Sequence, residues 1–419
     1  MNFLEALKQG QEGENKGLPT GLPPLDRAID GVQKKAIYGV AAGPKVGKST
    51  LVDFGFVIHP ILHCIKENIP IALIYFSYEI DRVKKEFDFA SFFFYHDYKI
   101  QSIIHNDEEY PLSSRYLLGK LQDRNGEIIP LTQEHKVILQ EIYQNRIIPF
   151  FGEYDHRGQQ IKEGIIQFME DRDNPTGMRN TILAYAKKNG EFIYQDYDTI
   201  EEGKKVTKKR LIGYNIANKQ KRTIIITDHI RKLKRERGYS MKENMDKWIE
   251  YTVELRNFCH FTFVHIVHLN RSISNIERLK FNGEYIYPTG EDVKDSGNLS
   301  EECDYLLTLF NPTDEKYGLT THFGYPLDEY PNYRSIHLVE SRDTECPQHL
   351  GVQMYGNTHT PIYGCTVVDS SKVMSELEQS QDEYAPYYLD GLKRGLMITI
   401  VENQNSNGYL RPGELYFKS

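Results

Sequence analysis

The sequence is short of tryptophan (one), of cysteine (five) and of net positive charge: 51 Lys and Arg stand against 59 Asp and Glu, −8 overall. Each shortage excludes something. Cys64, Cys259, Cys303, Cys346 and Cys365 are scattered, odd in number and without metal-ligand spacing. Neither a disulfide framework nor a zinc site is expected, and they read as reduced thiols of a cytosolic protein. No apolar run approaches the ~20 residues that span a bilayer. Met1-Asn2-Phe3-Leu4-Glu5 does not read as a signal peptide, so no membrane partner is expected. The negative balance rules out a surface coated in basic residues. It leaves nucleic acid open, because a strand needs positive charge only where it touches. The chain carries no solenoid-type repeat.

What is present is enough for one large α/β domain with insertions, or for two domains: 419 residues, 39% hydrophobic and 26% charged. The organising stretch is Ala36-Ile37-Tyr38-Gly39-Val40-Ala41, an apolar run of strand character, which feeds Ala42-Gly43-Pro44-Lys45-Val46-Gly47-Lys48-Ser49-Thr50 and then an apolar helix start, Leu51 to Phe56. Strand, glycine-containing loop, helix is the context of a phosphate-binding P-loop. Residues 42–50 would cradle a nucleotide's phosphates with backbone N–H groups at the helix N-terminus. Lys48 would reach the β- and γ-phosphates, and the Ser49 hydroxyl would ligate Mg²⁺. The pattern is Ala-x4-Gly-Lys-Ser, with Ala42 where glycine is commoner. The alternative is a glycine turn between a core strand and a core helix.

Three further apolar runs end in polar side chains. Pro70 to Ser77 is buried on both faces, as in a parallel sheet, and is followed by Glu79. At that sheet edge a carboxylate serves as general base for an attacking water, or is a solvated helix-start glutamate. Thr223 to Thr227 ends in Asp228, what a Walker B strand needs to hold Mg²⁺, or an acid leaving a core strand. His260 to Val267 ends in His268, placed to sense a γ-phosphate or to serve as a structural histidine.

The remaining expectations are coarser. Residues 2–10 form a short helix, a frayed terminus or an arm on a neighbouring subunit, followed by a linker to Gly17. Residues 81–150 look helical, with core aromatics from Phe87 to Tyr95; Ile147 to Phe151 reads as a strand and Gly158 to Asp171 as a helix. Thr181 to about Arg222 reads as a partly β-structured basic insertion, either a solvated charge run or a nucleic-acid or subunit contact. Met241 to Phe258 is an amphipathic helix, Ile273 to Gly290 a mobile loop, and Leu299 to Cys303 a short helix. Tyr305 to Phe310 and Ser335 to Arg342 are strands, and Gly351 to Tyr355 pairs back. An acidic helix (Ser375 to Glu383) and a last hairpin (397–401 with 413–417) close the chain.

The order of motifs is more specific than any one of them. Pro19-Thr20-Gly21-x3-Leu25-Asp26, the P-loop, Glu79, Asp228, His268-Leu269-Asn270-Arg271 and Asp292-Val293-Lys294-Asp295-Ser296-Gly297 follow one another. Over residues 17–356 this resembles the RecA-type motor domain of DnaB-like replicative helicases, especially the compact phage versions. The resemblance implies an α/β fold with a mostly parallel central sheet flanked by helices, a β-rich insertion and C-terminal hairpins. It implies residues 1–16 as an arm and 357–419 as an extension packed on the motor. It implies Lys48, Glu79, His268 and Arg342 as catalytic residues, the last as an arginine finger entering a neighbour's site, with Ser49 and Asp228 on Mg²⁺. Arg231, Lys232, Lys234, Arg235, Arg271, Lys294, Asp295 and Gly297 would meet single-stranded DNA. ATP, a homo-oligomer (a hexamer), a separate primase or loader, and the cytoplasm of a bacterial host are implied with it. The family's Lys-x-Arg is here Glu340-Ser341-Arg342, and a primase-docking N-terminal domain does not appear. Two other classes stay open: a RecA-fold ATPase that does not unwind (mediator, loader or paralogue), and a P-loop phosphotransferase.

Overall fold

The computed structural model describes residues 3–11, 16–201, 204–270, 273, 276–293, 297–323, 325–363, 378–379 and 399–401. Numbered in chain order, the main sheet contains β1 (Ile37–Ala42), β2 (Ile71–Ser77), β3 (Ile166–Met169), β4 (Arg222–Asp228), β5 (Thr262–His268), β6 (Tyr305–Phe310), β7 (Tyr333–Ser341), β8 (Gln348–Tyr355), β9 (Thr360–Tyr363) and β10 (Thr399–Val401). Their spatial order is β9-β8-β7-β6-β1-β5-β4-β2-β3, with β10 also paired to β8. The six strands from β6 to β3 run parallel, and β7 to β10 add antiparallel. The fold is α/β with a mostly parallel sheet, as expected.

Burial explains the sequence pattern. Every residue of β1 is buried, so the strand is apolar on both faces. Tyr38, Val40 and Ala42 pack beneath the P-loop helix (Lys48 to Lys66, with a wider π turn at Asp53–Ile58) and the helix Arg82–Tyr98. Ile37 and Ala41 face the helices Pro175–Asn189 and Met241–Cys259, around Trp248. The result is helix, sheet, helix, the layering that buries both faces of a parallel sheet. The aromatics Phe89, Phe92, Phe93 and Phe94 are core, as read from the sequence.

Several sequence expectations are corrected. Residues 81–150 are not helical throughout: Ser102–His105 and Glu108–Pro111 form a hairpin. Asn106 and Asp107 both take left-handed backbone (φ 51° and 61°), the two-residue turn that closes such a hairpin. Ile147 to Phe151 is the end of a helix begun at Gln133, not a strand. Pro149 has no N–H to give to the preceding turn, and the helix widens to a π turn over Tyr143–Ile147 just before it. Gly158 to Asp171 is two strands, Gln160–Glu163 and β3, rather than a helix. Asp155 Oδ1 accepts from the N–H groups of Arg157 and Gln159 and builds the turn that starts them. Ile273 to Gly290 contains a helix, Ile276–Asn282. Thr181 to Asn189 continues the helix begun at Pro175, and the β-structured excursion is one long hairpin, Gly190–Glu201 with Lys204–Ile216.

The C-terminal segment adds β9 and β10 to the sheet edge. The acidic helix lies outside the described residues except at Glu378 and Gln379, as does the expected 413–417 strand. At the other end, the helix Phe3–Gln11 leaves Leu4 70% and Leu7 49% exposed.

Candidate nucleotide site

Register brings the strand ends to one edge. Ala42 lies opposite His268, Thr227 opposite His265, and Asp228 opposite Ser77. The Tyr78 N–H donates to the Asp228 carbonyl at 2.8 Å, extending the ladder so that Glu79 emerges beside Asp228. Ala42 is the last residue of β1 and keeps ordinary strand backbone, so no glycine is required there. The loop's special conformations fall later, at Lys45 (φ 60°) and Gly47 (φ 109°). A Cβ on Gly47 would stand 3.4 Å from the Met354 side chain, so β8 closes over the loop.

Lys48, 8% exposed, opens the helix. Burial lowers its pKa, while Asp228 and Glu79, both within Coulombic reach, oppose the shift. A buried ammonium between two carboxylates is a poised anion site. The Ser49 hydroxyl donates to Asp228 Oδ2 at 3.3 Å. Asp228 is fully buried, and its Oδ1 has no hydrogen-bond partner among the described residues. Burial raises its pKa, and Lys85 is the strongest opposing influence. An unpartnered buried carboxylate oxygen next to a serine hydroxyl is a donor set that fits a hard divalent cation.

His268 sits across the edge, with burial and Lys48 lowering its pKa. Its ring lies 4.1 Å, centroid to centroid, from that of His229, whose pKa burial pulls down to about 2. Both therefore offer neutral imidazoles.

Two placements went unread in the sequence. Asp53 stands one helical turn after Ser49, and its carboxylate accepts from the Tyr75 hydroxyl (3.0 Å) and from Lys85 (2.8 Å). Lys85 is 1% exposed. A signal for it exists: it lies four residues before Phe89 and seven before Phe92, on the buried stripe of its helix.

The structure thus gathers Lys48, Ser49, Glu79, Asp228 and His268. The basic loop is adjacent: Arg231 and Lys232 follow β4 in a turn, with Lys232 Nζ 3.6 Å from Glu79 Oε1, and Lys234 and Arg235 are exposed beyond it. Arg271, Lys294 and Asp295 lie outside the described residues, and Gly297 begins the helix Gly297–Glu302. The chain on either side is tied together, since the Asn270 N–H donates to the Asp292 carbonyl at 2.7 Å. Arg342 is not gathered. Ser341 pairs with Tyr305 at the start of β6, whereas Leu309, near the end of β6, pairs with Ala42. Arg342 therefore stands at the opposite edge, where its guanidinium donates to the Glu301 and Glu302 carbonyls (3.2 and 3.3 Å).

No protein-family model matches the chain, and no curated protein matches it. Solved structures do. One solved helicase ATPase domain superposes with a TM-score of 0.57 at 13% identity, covering 86% of this chain and 98% of that one. The fold is that of the DnaB-like helicase ATPase domain. A DnaB-like replicative helicase, solved to describe its interactions with primase, gives 0.55 at 11% identity, over 86% of this chain and 65% of that one. At such identities the likeness establishes the RecA-like ATPase fold, and the chemistry rests on the residues. In this fold β1 carries the phosphate loop, and the gathered side chains occupy the edge where parallel sheets bind ligands. Among the described residues no helix is long and apolar enough to cross a membrane.

Proposed function

We propose that the chain is an ATP-dependent replicative DNA helicase of the DnaB-like type. It works as a ring, a hexamer, translocating 5′-to-3′ on single-stranded DNA in the cytoplasm of a bacterial host, with a separate primase or loader as partner. The observation that carries the reading is the convergence of Lys48, Ser49, Glu79, Asp228 and His268 at one sheet edge.

Their roles follow from position. The loop 42–50 holds the phosphates with backbone N–H groups, and Lys48 draws the β- and γ-oxygens into its buried anion site. Ser49 and Asp228 would hold Mg²⁺, which offsets phosphate charge when bound. Glu79, at the exposed rim, takes the proton of the attacking water. Neutral His268 hydrogen-bonds the γ-phosphate and loses that partner on hydrolysis. Arg231, Lys232, Lys234 and Arg235, with Arg271, Lys294, Asp295 and Gly297, face the strand, and such contacts are salt-sensitive and blind to sequence. Arg342 completes the site of a neighbouring subunit.

One observation favours a second reading, a RecA-fold ATPase that does not unwind. Arg342 is engaged with its own chain's helix end, and Glu340 stands where the helicase pattern has lysine. ATP hydrolysis with and without single-stranded DNA, wild type beside Arg342→Ala, separates the two. The helicase reading expects strong stimulation that the variant loses while still binding ATP. Hydrolysis indifferent to DNA in both proteins supports the second reading.

A further inference from the structure

Lys232 occupies a place that a solvated lysine would not need. The turn after β4 is pinned on both sides of it by Ile230 and Leu233, 0% and 3% exposed. The Arg231 N–H donates to His229 Nδ1 at 3.2 Å, fixing the turn further. Lys232 is thereby carried on a rigid step, with its ammonium 3.6 Å from the Glu79 carboxylate. The surrounding segment, Arg231 to Arg237, holds five basic residues and one acid, Glu236. That acid is already engaged by Lys247 and by the Thr176 N–H. The loop is therefore a net cation that attracts a polyanionic backbone, and one of its charges rests on the carboxylate at the rim of the nucleotide site.

We propose that Lys232 is a positioning residue that couples a bound nucleic-acid strand to Glu79. The proposal rests on the reading of the site as an ATPase with Glu79 as its base. Without a strand, Lys232 holds the Glu79 carboxylate toward the basic loop. A phosphate of the strand takes the ammonium, and the carboxylate turns toward Lys48 and the attacking water. The two ligands of Lys232 compete, so DNA binding and the free state of Glu79 favour each other. The size is bounded by exposure: the side chains are 43% and 33% exposed, and such screened ion pairs shift equilibria only about two- to five-fold.

Two measurements test it. In Lys232→Ala, ATP hydrolysis without DNA should rise about two- to five-fold, and the stimulation given by a poly-dT oligonucleotide should shrink by the same factor. Lys232→Arg, which keeps the ion pair, should restore the low basal rate. By reciprocity, Glu79→Gln should bind the same oligonucleotide about two- to five-fold more tightly without nucleotide at fixed low salt. Hydrolysis plays no part in that second measurement. A Lys232→Ala protein that loses DNA affinity but keeps the wild-type basal rate makes Lys232 a plain phosphate contact and overturns the coupling. Unchanged or weaker DNA binding by Glu79→Gln overturns it as well. Wild-type protein that hydrolyses no ATP removes the ATPase reading itself, which is a different result from either.

Discussion

Lys85 shows what a single buried charge costs and does. Its ammonium, 1% exposed, reaches Asp53 Oδ2 at 2.8 Å and the Tyr75 hydroxyl at 3.2 Å. Burial alone would lower its pKa, but Asp53 and Asp228 more than offset this and hold it raised. Because Asp53 lies one turn after Ser49, the pair fixes the rotation of the P-loop helix against β2. Replacing Lys85 by methionine leaves Asp53 buried and unpaired, so the stability loss should be about 3–5 kcal/mol in urea unfolding. Replacing both, Lys85→Met with Asp53→Leu, should recover most of that loss, because an apolar pair of similar volume replaces a desolvated ion pair. A single variant costing under about 1 kcal/mol would mean that water already reaches the pair.

The long hairpin is the element on which fold and excursion separate. Its root belongs to the core: Tyr214 is buried against Phe261 and gives its hydroxyl to the Ala186 carbonyl at 2.9 Å. Beyond the bulge at Ile193/Tyr194 both strands are largely exposed, and Asp198 pairs with Lys205 at 2.7 Å within the hairpin itself. Replacing residues 196–209 by a two-residue Asn-Gly turn should therefore leave the urea midpoint and ATP binding close to wild type. A large loss of either would make the distal hairpin part of the cooperative core. The contrast with β1, β2, β4 and β5 explains what the sequence made legible. Strands buried on both faces must be apolar throughout, so Ile71–Ser77 and Arg222–Asp228 were readable, and so were the acids at their exits. Ile147 to Phe151 is equally apolar but only five residues long, and a run that short looks the same in a strand and in a helix end. Glu79, Asp228 and His268 came from strand exits. Lys85 and Asp53 stayed hidden because their charges cancel each other inside the core, leaving only helical spacing as a clue.

Across the whole molecule, buried histidines recur far from the nucleotide edge. His322, His337 and His349 cluster beneath the antiparallel half of the sheet, His59 lies against the P-loop helix's aromatic side, and His265 lies under Trp248. Burial holds their pKa values down, to about 4 for His322, to about 3 for His349, His59 and His265, and well below the ordinary value for His337. In the cluster the geometry gives the reason in hydrogen-bond terms. His337 Nδ1 meets His349 Nδ1 at 2.7 Å and its Nε2 meets Ser335 Oγ at 2.8 Å, so one of the facing Nδ1 atoms must stay unprotonated to accept. Above pH ~6.5 these rings are neutral in both folded and unfolded chains and contribute no pH dependence. Below it the unfolded chain takes up protons that the folded chain refuses, so stability falls as pH falls, until the folded-state values near 3 to 4 are reached. Each ring costs about 1.4 kcal/mol per pH unit in that window. Five of them over one unit approach the whole stability of a typical protein, ~5–15 kcal/mol. The urea midpoint should therefore drop steeply between pH 6.5 and 5.5, a window in which ordinary carboxylates remain ionised. A midpoint that stays flat to pH 5 would mean that the rings are hydrated and titrate normally. A double variant, His337→Phe with His349→Leu, should flatten the dependence by about two rings' worth if the protein folds. The quantity to compare is the slope of the midpoint against pH, because the substitutions also move the midpoint itself by changing the packing.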